Sequence, residues 1–327
     1  MNSLKKLKTK LKKKLFKPKI IVVLGQTASG KSELAVKLAK RFNGEIISAD
    51  SRQVYKNLDI GSGKITKKEM KSISHYLLDV ASPKKTFTVS QYQKLAKKAL
   101  KDIIKRGKIP IICGGTGLYI DSIIYNTKFP EVPPQPNLRK KLEKRTTEEL
   151  FKQLQKLDPR RAQNIDRHNR RRLIRALEII IFTGKPVPLL KQSQPTILSD
   201  SAIIDNNKIS NYEILKIGIK KSPEELKKLI AKRLKKRIKI GMIEEVKNLH
   251  YKYGLSWQRL DDLGLEYRYV SRYLRGLIIK KEMIKSILKE SWQYAKRQMT
   301  WFKKNGQIRW IKNEKEAYKI IKRFLLN

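Results

Sequence analysis

The chain has 327 residues, with 77 Lys and Arg against 29 Asp and Glu, a formal net charge of +48. At roughly 100–200 residues per domain there is room for two domains, or for one with a large insertion. The 40% hydrophobic content excludes a disordered chain, and the charge points to a polyanion: nucleic acid or an anionic membrane surface, with part of the lysine excess attributable to base composition.

One cysteine, Cys113, and three histidines exclude a disulfide framework and a Cys/His zinc site. They fit a reducing, cytoplasmic setting. No run approaches the length of a membrane span, and no signal-peptide core is evident. Residues 1–19 form a lysine-rich arm with Leu4, Leu7, Leu11 and Leu15 at helical spacing. This is either a basic amphipathic helix or a solvated tail.

The β-branched run at 20–24 predicts a buried parallel strand. A helix over 31–42 follows, then a short strand over 45–48 that ends at Asp50. A helix over 94–106 is closed by Gly107, and a strand over 109–112 runs into Cys113-Gly114-Gly115-Thr116-Gly117. This alternation predicts an α/β fold with a parallel sheet. Pro130, Pro133, Pro134 and Pro136 mark a boundary, and 137–183 carries only helical patterns, ended by Gly184 and Pro186. A polar loop is expected over 191–211 and a strand over 212–219. The division expected is an arm at 1–19, the first part of the core at 20–129, a helical insertion at 130–200, and the rest of the core with C-terminal helices at 201–327.

Gly25-Gln26-Thr27-Ala28-Ser29-Gly30-Lys31-Ser32 matches G-x-x-x-x-G-K-[ST] between a strand and a helix, the context of a P-loop. The glycines let backbone N–H groups face one anion, the helix N-terminus adds its positive end, and Lys31 supplies a point charge. The Ser32 hydroxyl can hold Mg²⁺. The strand at 109–112 offers no Walker-B acid, and Tyr76-Leu77-Leu78-Asp79 imitates that pattern only weakly. Asp50 ends a strand on the edge where open parallel sheets bind ligands, so it is a metal partner, a general base or a helix cap. Thr116 either touches substrate or caps the next helix.

Asn169 is a candidate N-cap followed by Arg170, Arg171, Arg172 and Arg175. Cations there oppose the helix dipole, which points to an anion among them or to a solvated charge run. Ser222-Pro223-Glu224-Glu225 reads as a capping box, and Arg233 sits at the rim of the apolar face behind it. Trp292, Tyr294, Trp301 and Phe302 interleave with basic residues, a pattern of nucleic-acid binding or of a packed amphipathic helix.

The sequence resembles the bacterial tRNA dimethylallyltransferases. The matching stretches are GQTASGKS, ADSRQVY, DIGSGK (59–64), HYLLDV (75–80), GGTGLY (114–119), DPRRAQNI (158–165), RRLIRALE (171–178), GMIEEV (241–246), LGLEYR (263–268) and AKRQMTWF (295–302). Gln26 stands where the family commonly has Pro, and Ser32 where it commonly has Thr. The resemblance implies a P-loop NTPase-like sheet with a helical insertion. It also implies transfer of a dimethylallyl group from its diphosphate to the exocyclic amine of the adenosine 3′ of the anticodon. The P-loop, residues 25–32, would hold the diphosphate rather than ATP; Mg²⁺, Lys31 and Arg233 would stabilise the leaving charge, and Asp50 would be the base. Ser51, Arg52, Gln53 and Thr116 would line the base pocket. Arg139, Arg171, Arg172, Leu173, Ile174 and Arg175 would meet the anticodon stem-loop, and a monomer without zinc is expected. The alternatives are a P-loop kinase or NTPase with a helical lid, a prenyltransferase acting on adenine nucleotides, and a non-catalytic RNA-binding protein.

Overall fold

The structure is a computed structural model that describes residues 17–188 and 212–327. The basic arm up to residue 16 and the loop expected over 191–211 lie outside the described residues.

In chain order the first elements are β1 (Lys19–Gly25), α1 (Lys31–Arg41), β2 (Gly44–Ala49), α2 (Lys67–Met70), β3 (His75–Tyr76), α3 (Val89–Lys105), β4 (Ile109–Gly114) and α4 (Gly117–Ile124). Then come α5 (Pro136–Glu143), α6 (Thr147–Leu157), α7 (Pro159–Gln163) and α8 (Arg170–Thr183). The remainder is β5 (Glu213–Ile219), α9 (Pro223–Lys239), α10 (Met242–Tyr251), α11 (Trp257–Leu263), α12 (Leu265–Leu274), α13 (Lys280–Lys303), β6 (Arg309–Ile311) and α14 (Glu314–Leu326). Two compact units result: the larger runs to Asn126 and resumes in the C-terminal half, and the smaller begins at Thr127.

Among the described residues of the larger unit six strands form one parallel sheet, in the order β3-β2-β4-β1-β5-β6. Strand β1 shows why its sequence is continuously apolar. Ile20, Val22 and Leu24 enter the core cluster on one face, and Ile21 and Val23 enter the cluster on the other. With side chains alternating and both faces covered, a parallel strand has no polar side. Helices α1 and α14 cover one face; α3, α4 and the C-terminal helices cover the other. The chain leaves β1 toward β2, which lies beyond β4, so the carboxyl ends of β1, β2 and β4 meet at the point where such sheets bind ligands.

Glu45 on β2 is buried among cations. It accepts from Arg106 (2.8 and 2.6 Å), Lys108 (2.6 Å) and the Tyr76 hydroxyl (2.8 Å). The Arg106 guanidinium, outweighing burial, holds its carboxyl down at about 2, with help from Lys108 and Tyr76.

The smaller unit has its own core, with Leu150, Leu154, Leu173 and Leu177 fully buried. Asn169 caps α8 by accepting from Arg172 N at 3.2 Å, and Gly184 ends it at φ 65°.

Candidate active site

The P-loop curls between β1 and α1. Ala28 (φ 61°) and Gly30 (φ 91°) both adopt left-handed backbone around Ser29. This is tolerable for glycine and strained for alanine, and backbone of this kind is the type that forms anion-binding nests. Lys31 Nζ folds back onto the Gln26 carbonyl at 3.2 Å. Burial pulls its ammonium below the ordinary lysine range, and Arg233 and Arg237 push the same way. Ser29 Oγ is buried without a hydrogen-bond partner among the described residues. A cradle of this kind, holding crowded cations and an unsatisfied hydroxyl, is chemically matched to an anion.

A cavity opens beside the loop. Its wall includes Thr27, Lys31, Ser32, Asp50, Gln53, Ser62, Cys113, Gly114, Arg233, Tyr294 and Gln298. Lys31, Ser32, Asp50 and Arg233 therefore share one site although 206 positions separate Thr27 from Arg233, whose Nη1 donates to Thr27 Oγ1 at 3.3 Å. Burial, reinforced by Arg237, lowers the Arg233 guanidinium to about 10. Ser32 and Asp50 are hard oxygen donors on the same wall, a set that suits a small divalent cation holding most of its ligands as phosphate oxygens and water.

Asp50 also shapes its own surroundings. Its Oδ1 accepts from Arg52 N (2.8 Å) and Gln53 N (3.3 Å), so one carboxylate oxygen closes the turn that follows β2. Gln53 lines the cavity and donates to the Gly63 carbonyl at 3.1 Å. The Arg52 Nε donates to the Leu263 carbonyl at 2.6 Å, tying this turn to the C-terminal helices. Thr116 precedes α4 without a side-chain cap bond. Its hydroxyl accepts from Ser51 N at 3.1 Å, so Ser51 enters through its backbone. Gln26 likewise serves the loop through its carbonyl, because its carboxamide donates to Ala295 O on α13 at 2.9 Å.

Asp79 is held by Lys64 at 2.6 Å and is absent from the cavity wall described above. Strand β4 ends at Cys113 and Gly114, with no acid. Burial pushes the Cys113 thiol up to about 11, so it is a poor nucleophile.

Helix α13 is the part that residue patterns underspecify. Gln298 accepts from Thr27 N through Oε1 (2.8 Å) and donates to Gly115 O through Nε2 (2.9 Å), joining the P-loop to the Gly-Gly-Thr turn. Tyr294, one turn earlier, reaches Thr116, and burial pushes its phenol up to about 12. Trp301, three residues later, donates to Asp121 at 2.8 Å. The spacing Tyr294, Gln298, Trp301 is one helical stripe. The aromatic side chains of this aromatic-basic segment are packing and site-building groups: Phe302, Trp301 and Trp292 pack on the hydrophobic clusters and Tyr294 lines the cavity.

The smaller unit holds the other residues expected at the tRNA. Leu173 and Ile174 have their side chains in its hydrophobic core. Arg139 donates to Glu178 at 2.7 and 2.8 Å, and Arg175 donates to Glu178 at 2.6 Å and to Val132 O at 2.9 Å. The anion anticipated among the arginines is thus partly internal. Burial pushes Glu178 up, but Arg139, the Gln135 N–H and Arg175 outweigh it and hold the carboxyl below its usual range. Arg171 and Arg172 stay on the exposed side of α8. In α9 only half of the expected capping box forms. Ser222 accepts from Glu225 N at 3.1 Å, while the Glu225 carboxylate pairs with Lys221 at 2.6 Å.

The sequence profile of the IPP transferase family matches residues 53–305. The tRNA dimethylallyltransferase of Anoxybacillus flavithermus is 42% identical over 295 residues, 90% of each chain. That of Thermoanaerobacter sp. (strain X514) is 42% identical over 316 residues, 94% of this chain and 97% of its own. Among solved structures, the full-length tRNA isopentenylpyrophosphate transferase of Bacillus halodurans superposes with a TM-score of 0.66 at 33% identity, covering 95% of this chain and 96% of its own. A eukaryotic dimethylallyltransferase described as acting on tRNA gives 0.68 at 27% identity, covering 90% and 73%. These likenesses take in both the strand-and-loop half of the cavity and the C-terminal helices that complete it, and the chain belongs to the tRNA dimethylallyltransferase (IPP transferase) family.

Proposed function

We propose that this protein transfers a dimethylallyl group from dimethylallyl diphosphate to the exocyclic amine of the tRNA adenosine on the 3′ side of the anticodon. The observation that carries the reading is the shared cavity of Lys31, Arg233 and Asp50, two cations and one carboxylate beside a P-loop whose neighbouring strand β4 ends without an acid. The amine nitrogen attacks the prenyl carbon bearing the diphosphate. The carbon–oxygen bond breaks, and diphosphate leaves with the bond's electron pair. The P-loop N–H groups, Lys31 and Arg233 hold that charge. Asp50 takes the proton released by the amine, whose lone pair is otherwise conjugated into the ring. Ser32, with phosphate oxygens and water, would hold Mg²⁺, which supplies further charge compensation to the diphosphate. The base must leave its stack to reach Gln53 and the Thr116 turn. A P-loop kinase or NTPase is the second reading, but it needs an acid where β4 ends in Cys113 and Gly114.

The test is mass spectrometry of tRNA nucleosides after incubation with dimethylallyl diphosphate and Mg²⁺. A gain of one prenyl unit on adenosine is expected. Release of γ-phosphate from ATP, with no modified nucleoside, would establish the kinase or NTPase reading instead.

A further inference from the structure

The loop 59–63 has an unusual hydrogen-bond arrangement. Four successive backbone N–H groups are taken by two side chains from distant parts of the chain. Glu245 Oε2 accepts from Asp59 N (2.8 Å) and Ile60 N (2.6 Å), and Oε1 accepts from Gly61 N (2.9 Å). Ser62 N donates to the Tyr267 hydroxyl at 2.9 Å, and that hydroxyl donates to Glu245 Oε1 at 3.1 Å. Tyr267 is 1% exposed, and its ring lies where a Cβ on Gly61 would be.

The carbonyls of the same loop have partners of their own. Gly61 O accepts from Arg237 Nη1 at 3.0 Å. Gly63 O accepts from Arg233 Nη2 at 3.2 Å as well as from Gln53 Nε2. Gly63 has φ 61°, and a Cβ there would strike both guanidinium groups. Arg233 and Arg237 repel one another. Arg237 is also paired with Glu266 at 2.7 Å, whereas among the described residues the hydrogen-bond acceptors of Arg233 are Thr27 Oγ1 and the Gly63 carbonyl, so the carbonyl of this loop is a main determinant of its orientation.

We infer that Glu245, supported by Tyr267, is a positioning residue for the diphosphate. It holds loop 59–63 so that the Gly63 carbonyl fixes the Arg233 guanidinium on the cavity wall. The inference rests on the proposed role of Arg233 as a diphosphate ligand. The loop, α10 and α12 correspond to the stretches 59–64, 241–246 and 263–268, for which the sequence alone offers no role.

The experiment measures the affinity of the full chain for inorganic diphosphate with Mg²⁺ in the parent, Glu245→Gln, Arg233→Ala and the double variant. Arg233→Ala should weaken binding. Glu245→Gln should weaken it about 10- to 100-fold by misplacing the guanidinium. The double variant should bind no more weakly than Arg233→Ala, because the two residues act through one contact. Glu244→Gln, on the exposed side of the same helix, should bind like the parent. If Glu245→Gln does not fold, Tyr267→Phe removes only the bridging hydroxyl and should show the same non-additivity with a smaller loss. An unchanged affinity in both variants, or full additivity with Arg233→Ala, overturns the inference. An unchanged affinity in Arg233→Ala overturns instead the assignment of Arg233 to the diphosphate.

Discussion

Asp50 combines two tasks that a single substitution to alanine would confuse. One oxygen closes a turn through Arg52 N and Gln53 N, and the carboxylate also faces the cavity. Asp50→Asn separates them, since an amide oxygen still accepts from the turn but the group can no longer take a proton. Prenyl transfer should fall by about 10²–10⁴, the usual cost of losing a general base, while tRNA affinity stays near the parent value. Nucleoside mass spectrometry with single-turnover rates checks the first part and filter binding the second; turnover at the parent rate would remove Asp50 from the mechanism. Arg175 illustrates the opposite case. Its guanidinium serves Glu178 and the Val132 carbonyl, so Arg175→Ala should cost about 1–3 kcal/mol through an under-satisfied buried carboxylate. Faster amide exchange in the helix Arg170–Thr183 would register that loss.

Among elements, α13 joins the two halves of the site. Replacing Gln298 by Leu leaves Thr27 N and Gly115 O without their buried partner. A cost of about 1–3 kcal/mol per orphaned group is expected in urea unfolding, with a larger fall in turnover than in tRNA affinity. Strand β2 carries a pH-dependent tie. Glu45 has a folded value of about 2, below its ordinary 4.5. A depressed carboxyl stabilises fully above the unfolded value and loses that contribution as pH falls through the folded one, here from 4.5 down to about 2. Glu45→Gln should lower stability at neutral pH and flatten the acid limb of a pH–stability curve in that window. An acid limb identical to the parent would show that Glu45 carries no such linkage.

For the whole molecule, the charge of +48 sets long-range attraction to tRNA without specifying where contact occurs. Binding should weaken steeply with salt, in proportion to the phosphates neutralised. Arg172, exposed on α8, is proposed as one such contact, and Arg172→Ala should reduce the slope of log affinity against log salt by about one. An unchanged slope in titrations at graded KCl would return this side of α8 to solvent.

The sequence by itself determined the local parts: the P-loop between strand and helix, the strand ending at Asp50, the Gly-Gly-Thr turn and the helical segment after the prolines. Each is a short-range pattern whose chemistry resides in adjacent residues, and the resemblance it carries names the reaction. Only the tertiary structure decided which distant side chains complete the cavity. Gln298, Tyr294 and the Glu245–Tyr267 pair stand in or beside stretches the sequence marks, but their partners are not legible there, because a hydrogen bond across 183 positions leaves no periodic trace. It also decided what else the arginines hold: Arg139 and Arg175, still partly exposed, both pair with Glu178, because burying that carboxylate without cations beside it would cost more than ordering two guanidinium groups.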